Sequence, residues 1–285
     1  MIKKINYLFQ TLLIYIFFFI GRVLGIKISK KIFSIIFFYL GPLFKSKEII
    51  KKNIKTFSQN ISSHEEEKII GNMWKNYGMT FIEYIFLDYY KKKKSHFIIE
   101  GEDNLSNLIK KNRPVIFVSG HFANFELMSM EISKKGIPLA TIYRPLNNPF
   151  LNPLMEFLRK KFICKNQIKK GMNGVRDAIE FIKKKYSIAL MIDQRVSEGK
   201  KINFFGKPAL TTTLPAQLSL KYNLGIVPVF IERIEEHKFK IQFQKELNPK
   251  NYVDKIDLTK ELNKILEKMI ISNPNQWIWT HNRWK

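Results

Sequence analysis

Two long uncharged segments set the amino-terminal part of the chain apart from the rest. Residues 5–21 contain no charged side chain, and a second uncharged run covers residues 32–44, with Gly41 and Pro42 near its end. As a helix, the first run would be about 26 Å long at 1.5 Å per residue, slightly shorter than the roughly 30 Å hydrocarbon core of a bilayer. The pattern predicts a membrane anchor that either spans the bilayer with snorkelling charges at its ends or lies in the interface.

A cleaved signal peptide is the competing interpretation of the first run. The sequence that follows it, residues 21–25, is a poor cleavage site because it lacks the small-x-small pattern. Residues 1–60 carry eleven basic side chains against Glu48 alone, and most of them follow the apolar run. This distribution favours a cytoplasmic location for what comes next. We therefore expect residues 1–45 to be an uncleaved anchor at the inner face of a membrane.

From residue 46 to 285 the hydrophobic pattern changes to that of an α/β domain. Helical spacing covers residues 64–90, and short apolar segments typical of strands follow at 97–99, 115–119, 140–143, 188–192 and 226–230. Helix-like stretches at 124–135, 173–185 and 214–222 lie between several of them, residues 238–244 are typical of an edge strand, and 258–271 of a final amphipathic helix. Strands that alternate with helices predict a mostly parallel sheet flanked by helices on both faces.

Composition adds an excess of positive charge. The 285 residues include 49 Lys and Arg against 24 Asp and Glu, a formal net charge of +25, while 45% are hydrophobic, which excludes general disorder. The excess has two explanations that the sequence leaves open: AT-rich coding drift, since only 8 of the basic residues are Arg, or attraction to an anionic partner. A single cysteine, Cys164, excludes an intramolecular disulfide and a cysteine-rich zinc module.

One segment carries a candidate for chemistry. Residues 115–126 are a buried strand, a turn at Gly120, and a helix start, so His121 lies just past the carboxyl end of a strand, where open α/β sheets bind ligands. Positions 121 and 126 differ by about 140° on a continuous helix, so His121 and Glu126 meet only if His121 belongs to the turn. Gly120 permits that geometry. Glu126 would then accept the imidazole Nδ1–H and leave Nε2 free as a base.

This H-x-x-x-x-E pattern after an apolar strand resembles the catalytic motif of the lysophospholipid acyltransferase superfamily. Glu rather than Asp at the last position is similar to the late acyltransferases of lipid A biosynthesis, the lauroyl/myristoyl transferase family. Further blocks resemble that family in order and spacing: residues 143–145, 148–149, Arg159, 193–195, 205–206, 211–213 and 276–281. Asn282 departs from the second Arg that these enzymes often have there.

The resemblance implies a glycerolipid-acyltransferase-like fold and a role for each matching residue. His121 would be the general base, held by Glu126, and Arg159 would stabilise the oxyanion. Arg144 and Arg195 would bind lipid phosphates, with surface ion pairs as the alternative. Asp193 matches an acidic position that the family uses near its site, or it caps a loop.

As a member of that family, the protein would move a fatty acyl chain from acyl carrier protein to a hydroxyl of a lipid A precursor. It would work at the cytoplasmic face of the bacterial inner membrane. Acyl carrier protein is acidic, so a basic surface would assist its docking. No metal-ligand spacing or phosphate-binding glycine loop is visible, and we expect neither a metal nor another cofactor.

Two other functions remain open from the sequence. The first is a glycerolipid or other glycolipid O-acyltransferase with the same residue pair, although Glu126 argues against the glycerolipid version. The second is a non-catalytic basic protein that binds membrane or nucleic acid. It would explain the charge but not the ordered blocks after His121. Nucleic acid is therefore not an expected partner; binding it would be strongly salt-dependent and would not need His121.

Overall fold

A computed structural model describes residues 2–92, 94–111 and 113–285 of the chain. The helices are α1 (Ile2–Phe44), α2 (Lys47–Phe57), α3 (Ser63–Glu83), α4 (Leu87–Lys92), α5 (Glu102–Lys111), α6 (Glu126–Lys134), α7 (Asn152–Leu158), α8 (Met172–Lys183), α9 (Leu214–Tyr222) and α10 (Lys255–Ser272). The strands are β1 (Phe97–Glu100), β2 (Ile116–Ser119), β3 (Leu139–Tyr143), β4 (Asn166–Lys169), β5 (Ser187–Met191), β6 (Lys200–Phe204), β7 (Lys207–Thr211), β8 (Ile226–Arg233) and β9 (Phe239–Phe243).

Seven of the strands form one sheet, in the order β1-β9-β8-β2-β5-β3-β4. The five strands from β8 to β4 are parallel, and β9 pairs with β8 in the antiparallel sense. Fully buried β2 occupies the centre of the sheet, as expected of an apolar strand covered on both faces. The predicted fold class, a mostly parallel sheet flanked by helices, is confirmed.

The sheet differs from the sequence prediction at its margins. β9 is not an edge strand, because β1 pairs with it on the side away from β8. β4 forms one edge of the sheet and was not predicted, since its sequence, residues 166–169, is mostly polar. β6 and β7 form a separate hairpin whose turn residues, Phe205 and Gly206, both have positive φ, as a tight hairpin turn requires.

Helix α1, the predicted anchor, doubles back on itself at Gly25, whose φ of 76° is not helical. The rings of Phe17 and Phe33 lie 5.7 Å apart, whereas 16 residues of straight helix would separate them by about 24 Å. The Ser29 hydroxyl donates to the carbonyl oxygens of both Gly21 and Gly25 at 2.7 Å, which closes the bend. The two uncharged runs are therefore the two arms of one hairpin, the first arm being residues 2–24 and the second 26–44.

Both arms lie against the α/β part of the chain. Along the second arm, Gly41 approaches the Trp74 ring so closely that a Cβ there would come within 2.3 Å of it. At the far end of the first arm, the Asn148 amide donates to the Tyr7 carbonyl oxygen at 2.9 Å, and the Thr11 hydroxyl donates to the Asn148 amide oxygen at 3.1 Å. The first arm therefore runs across the domain instead of projecting away from it.

A buried carboxylate joins α1 to the centre of the α/β part of the chain. Glu83, at the end of α3, is fully buried and pairs with Lys30 of the second arm at 2.7 Å and with Arg233 of β8 at 2.5 Å. Its other oxygen accepts a hydrogen bond from the Asn124 amide at 3.0 Å, which fixes the turn that follows β2. Burial alone would raise the pKa of Glu83, but the Arg233 and Lys30 charges outweigh it and lower that pKa to about 2.

Candidate active site

A cavity of about 630 Å³ opens at the carboxyl ends of the central parallel strands. One part of its wall is apolar and comes from α1 and neighbouring elements; another part is polar and includes the residues singled out from the sequence. The apolar lining includes Phe18, Tyr77, Phe81, Leu151 and Met155, and the polar lining includes Tyr84, His121, Glu126, Arg144, Arg159, Lys170 and His281. This position is the one where open α/β sheets bind ligands.

His121 lies in the turn between β2 and α6, as predicted. The chain leaves β2 at Ser119 and enters α6 only at Glu126, and the turn is completed by Ala123 with a φ of 44°. Gly120 contributes space, not positive φ, because a Cβ there would come within 2.8 Å of the Phe122 ring. The His121 side chain is 18% exposed and lines the cavity.

The partner of the His121 ring is Asp193, and the predicted hydrogen bond to Glu126 is wrong. Asp193 Oδ1 lies 2.7 Å from His121 Nδ1, and Asp193 Oδ2 accepts the His121 backbone N–H at 2.9 Å. The reason is the strand order: Ser119 of β2 pairs with Met191 of β5, so the residues two positions beyond each strand end lie side by side. With Nδ1 engaged, Nε2 is the ring nitrogen left for a substrate, and it makes no hydrogen bond to any described residue.

Asp193 is held in the charged state by the groups around it. Burial alone would raise its pKa, but the electrostatic interaction with His121 and the hydrogen bonds from the His121 ring, the His121 backbone and Trp277 together place the pKa of Asp193 below its usual value. The Trp277 indole N–H donates to Oδ2 at 2.9 Å. An ionised carboxylate on Nδ1 fixes the tautomer and orientation of the imidazole.

Glu126 instead binds Arg159. Its Oε1 accepts the Arg159 Nε–H at 2.7 Å and lies 2.6 Å from Nη2, and the Tyr84 hydroxyl donates to the same oxygen at 2.6 Å. Glu126 reaches this place because it is the first residue of α6, while Ala123 turns the chain away from His121 before the helix begins. Burial first, and then the Glu126 charge, raise the pKa of Tyr84 far above its usual value, so Tyr84 stays a neutral donor.

Arg159 is buried but not fully satisfied. It begins a short π-helical turn, Arg159–Ile163, directly after α7, a distortion often found at functional sites. Only 8% of the residue is exposed, and its Nη1 has no hydrogen-bond partner among the described residues. Leaving a charged donor buried without a partner is costly, so this N–H group is available to a ligand in the cavity.

The other two predicted binding residues occupy different places. Arg144 follows β3 and lines the cavity together with Lys170. Arg195 lies two residues beyond Asp193, and its backbone N–H donates to His281 Nε2 at 2.9 Å. The cavity lining includes its neighbours Gln194 and Val196 but not Arg195 itself. Within the described residues, no group of three His, Cys, Asp or Glu side chains is placed to hold a metal ion.

Sequence reasoning missed three residues of this site. Tyr84 lies within the helical pattern of residues 64–90, and Trp277 and His281 belong to the matching block 276–281, where the sequence indicates no role for either. Packing is part of what Trp277 does, since its ring lies 4.6 Å from that of Trp279 in a T-shaped contact. A hydrogen bond between positions 193 and 277 leaves no local signal in a sequence.

Comparisons with known proteins agree on one family. The sequence model of the bacterial lipid A biosynthesis acyltransferase family matches residues 3–285. The chain is 28% identical over 256 residues to the lipid A biosynthesis palmitoleoyltransferase of Escherichia coli (strain K12), which covers 86% of this chain and 80% of that protein. It is 23% identical over 246 residues to the lipid A biosynthesis lauroyltransferase of the same organism, covering 84% and 78%.

A solved structure is also similar to this chain. The crystal structure of the 1-acyl-sn-glycerophosphate acyltransferase PlsC from Thermotoga maritima matches with a TM-score of 0.43 and 14% identity, over 89% of this chain and 100% of that one.

Proposed function

The chain belongs to the bacterial lipid A biosynthesis acyltransferase family, and from this membership we propose that it transfers a fatty acyl chain from acyl carrier protein to a hydroxyl of a lipid A precursor. One observation carries the proposal beyond the family. A single cavity joins an imidazole with a free Nε2, a buried arginine with an unpaired N–H, and an apolar wall. These are a base, an oxyanion donor and a place for an acyl chain.

In the proposed reaction, the acceptor hydroxyl oxygen attacks the thioester carbonyl carbon while His121 Nε2 takes the hydroxyl proton. Asp193 stabilises the resulting imidazolium through Nδ1–H. Arg159 Nη1 donates to the carbonyl oxygen as it becomes negative, and Glu126 and Tyr84 hold the guanidinium in place. When the tetrahedral intermediate collapses, the carbon–sulfur bond breaks and the imidazolium proton goes to the departing thiolate.

Both substrates have chemistry that suits the cavity wall. The apolar side chains of Phe81, Leu151 and Met155 provide a surface for a fatty acyl chain. Arg144 and Lys170 line the polar part, where cations would bind the phosphates of a glycolipid. Arg195, the third predicted phosphate ligand, would need to turn its guanidinium toward the cavity. The acidic acyl carrier protein would be attracted by the net charge of +25.

Purified protein given acyl-loaded acyl carrier protein and a lipid A precursor should form a product heavier by one acyl chain, bound as an ester on a 3-hydroxyacyl group. Mass spectrometry of the intact and fragmented product identifies the acylated position. Lysophosphatidic acid is the control acceptor and should not be acylated. Acylation of lysophosphatidic acid alone would replace the proposal by the glycerolipid reaction, and no acylation of either lipid would contradict it.

Residues 1–45 are the proposed membrane anchor and residues 46–285 the catalytic domain, at the cytoplasmic face of the inner membrane. α1 is long and apolar enough to cross a membrane. Its first arm nevertheless contacts the domain at both ends, since Arg22 pairs with Asp88 at 2.9 Å and Tyr7 with Asn148. Large apolar side chains such as Phe19, 71% exposed, cover its outer side. The proposed anchor is therefore a hairpin inserted into one leaflet.

Cysteine labelling tests this topology. The only native cysteine, Cys164, is buried, so Cys164→Ser gives a background in which Lys4→Cys reports the end of the first arm. An impermeant maleimide should label Lys4→Cys in inverted membrane vesicles and not in intact spheroplasts. Met172→Cys, at a position 89% exposed on the catalytic domain, is the control for the cytoplasmic side. Labelling of Lys4→Cys from outside, with Met172→Cys protected, would establish a spanning helix instead.

A further inference from the structure

A segment near the end of the sequence contacts both the turn that carries the candidate base and the loop that carries its partner Asp193. We call residues 276–284 the C-terminal strap. It follows α10 and passes beside the turn after β2: the Ala123 N–H donates to the Gln276 carbonyl oxygen at 3.1 Å, and Phe122 and Trp277 form an isolated β-bridge. The backbone on either side of His121 is thus held partly by the strap.

The strap also fixes the loop that carries Asp193. Trp277 donates to Asp193 Oδ2 at 2.9 Å, and His281 accepts the Arg195 N–H at 2.9 Å. Further along, the Trp284 indole donates to the Phe204 carbonyl oxygen at 3.0 Å, which holds the β6–β7 hairpin. On its outer side, the Asn53 amide of α2 donates to two strap carbonyl oxygens, those of Trp279 and His281.

Trp277 is the member of the strap that reaches the candidate catalytic unit. Asp193 Oδ2 receives two N–H groups, from the His121 backbone and from the Trp277 indole, and Oδ1 is left for the imidazole. With Oδ2 bound from two directions, the carboxylate cannot rotate about its bond without breaking a hydrogen bond. The indole is only 2% exposed, so no water replaces its N–H if it is removed.

Resting on the proposed function, we infer that Trp277 is a positioning residue for the acyl transfer: its indole N–H sets the orientation and basicity of Asp193 and, through it, of the His121 base. Without this donor, the Asp193 carboxylate is a stronger acceptor for the imidazole Nδ1–H and favours the imidazolium. The proton affinity of His121 should therefore rise while its orientation becomes less well defined.

The other charged groups near Asp193 and His121 are unchanged when Trp277 is substituted. They are His281 and Arg283 of the strap, Arg144 after β3, Arg195 beside Asp193, and the Glu126–Arg159 pair across the cavity. Burial, more than any other influence, keeps the pKa of His281 below its usual value. It therefore contributes little positive charge at neutral pH.

The chain provides a matched control two residues away. Trp279 is also buried, belongs to the same strap, and packs against Trp277, but its indole donates to the Pro274 carbonyl oxygen at 2.8 Å. Trp277→Phe and Trp279→Phe each remove one indole and one hydrogen bond from the same small cluster. Only the first removes a hydrogen bond from Asp193.

The experiment measures two quantities in both variants. The first is the pH titration of the His121 ring followed by NMR, assigned with His121→Ala, which needs no substrate. We expect the midpoint to rise by about half a pH unit in Trp277→Phe and to stay unchanged in Trp279→Phe. The second is kcat/KM for acyl transfer against pH. It should fall about tenfold in Trp277→Phe, with its acid limb displaced in the same direction.

Equal His121 titration curves in Trp277→Phe and Trp279→Phe would overturn the inference. Equal losses of kcat/KM with unchanged pH profiles would overturn it as well, because either result is what a loss of packing alone would produce. If Trp277→Phe does not fold, benzothienylalanine at position 277 keeps the bicyclic shape while replacing N–H by sulfur, and the same two measurements apply. An active His121→Ala enzyme would contradict the proposed mechanism and with it a part of Trp277 in the transfer, whereas the NMR titration tests the coupling of Trp277 to the Asp193–His121 pair independently of turnover.

Discussion

His121→Ala is expected to reduce kcat/KM for acyl transfer by roughly three orders of magnitude, inside the range that general acid–base catalysis supplies. Nε2 is the only ring nitrogen of His121 left for a substrate, because Nδ1 is bound to Asp193 at 2.7 Å. Nothing else placed at this turn in the described structure can take the hydroxyl proton. The measurement is single-turnover transfer with acyl-loaded acyl carrier protein, and thermal melts verify the fold.

We expect Asp193 and His121 to act together as one catalytic unit. Asp193→Asn should lose about a hundredfold or more, because an amide can present its N–H to Nδ1 and stabilise the wrong tautomer. The double variant of His121→Ala with Asp193→Asn should be little worse than His121→Ala alone, since the members of a catalytic unit are strongly non-additive. His64→Ala, at an exposed position of α3, is the matched control and should retain full activity.

Either of two results would contradict this assignment. Substantial activity in His121→Ala would remove the base from the mechanism. Additive losses in the double variant would mean that Asp193 serves only its loop, where it also accepts the Trp277 indole.

The comparison of Asp193 with Glu126 explains what the sequence predicts and what it cannot. The strand, the turn and the helix start around His121 are local patterns, and each is found where its sequence predicts it. The partner of His121 depends on which strand lies beside β2, and that neighbour is β5, some 70 residues later. Hydrophobic alternation predicts strands but not their order in the sheet. The sequence therefore favours Glu126, the nearer carboxylate, as the partner of His121, and indicates no contact between His121 and the distant Asp193.

Helix α1, the predicted anchor, shows the same limit. The two uncharged runs and Gly25 are visible in the sequence, but a glycine between apolar runs fits a kinked helix as well as a hairpin. The direction of the second arm is decided by distant contacts such as the pairing of Lys30 with Glu83. Phe18 of the first arm lines the cavity, so α1 is also part of the cavity wall. The sequence predicts a boundary between anchor and catalytic domain at residue 45, but residues on both sides of that boundary pair with each other and line one cavity.

Arg159→Lys is expected to lower kcat by about two to three orders of magnitude, the range for removal of one oxyanion donor. Lysine keeps the charge but cannot keep the planar fork, in which Nε and Nη2 bind Glu126 while Nη1 stays free. The loss should appear in kcat more than in KM, because the donor acts where negative charge develops in the transition state. Arg176→Lys, at an exposed position of α8, is the matched control and should leave kcat unchanged.

Glu126→Gln extends this prediction to the residue that was first assigned to His121. If Glu126 orients Arg159, Glu126→Gln should lose about a hundredfold, and its double variant with Arg159→Lys should be close to Arg159→Lys alone. Combined with Asp193→Asn, Glu126→Gln should instead show losses that come close to multiplying, because the two carboxylates hold different groups. The reverse result, strong coupling of Glu126 to His121 and none to Arg159, would restore the His121–Glu126 pair and reject the arrangement of this site.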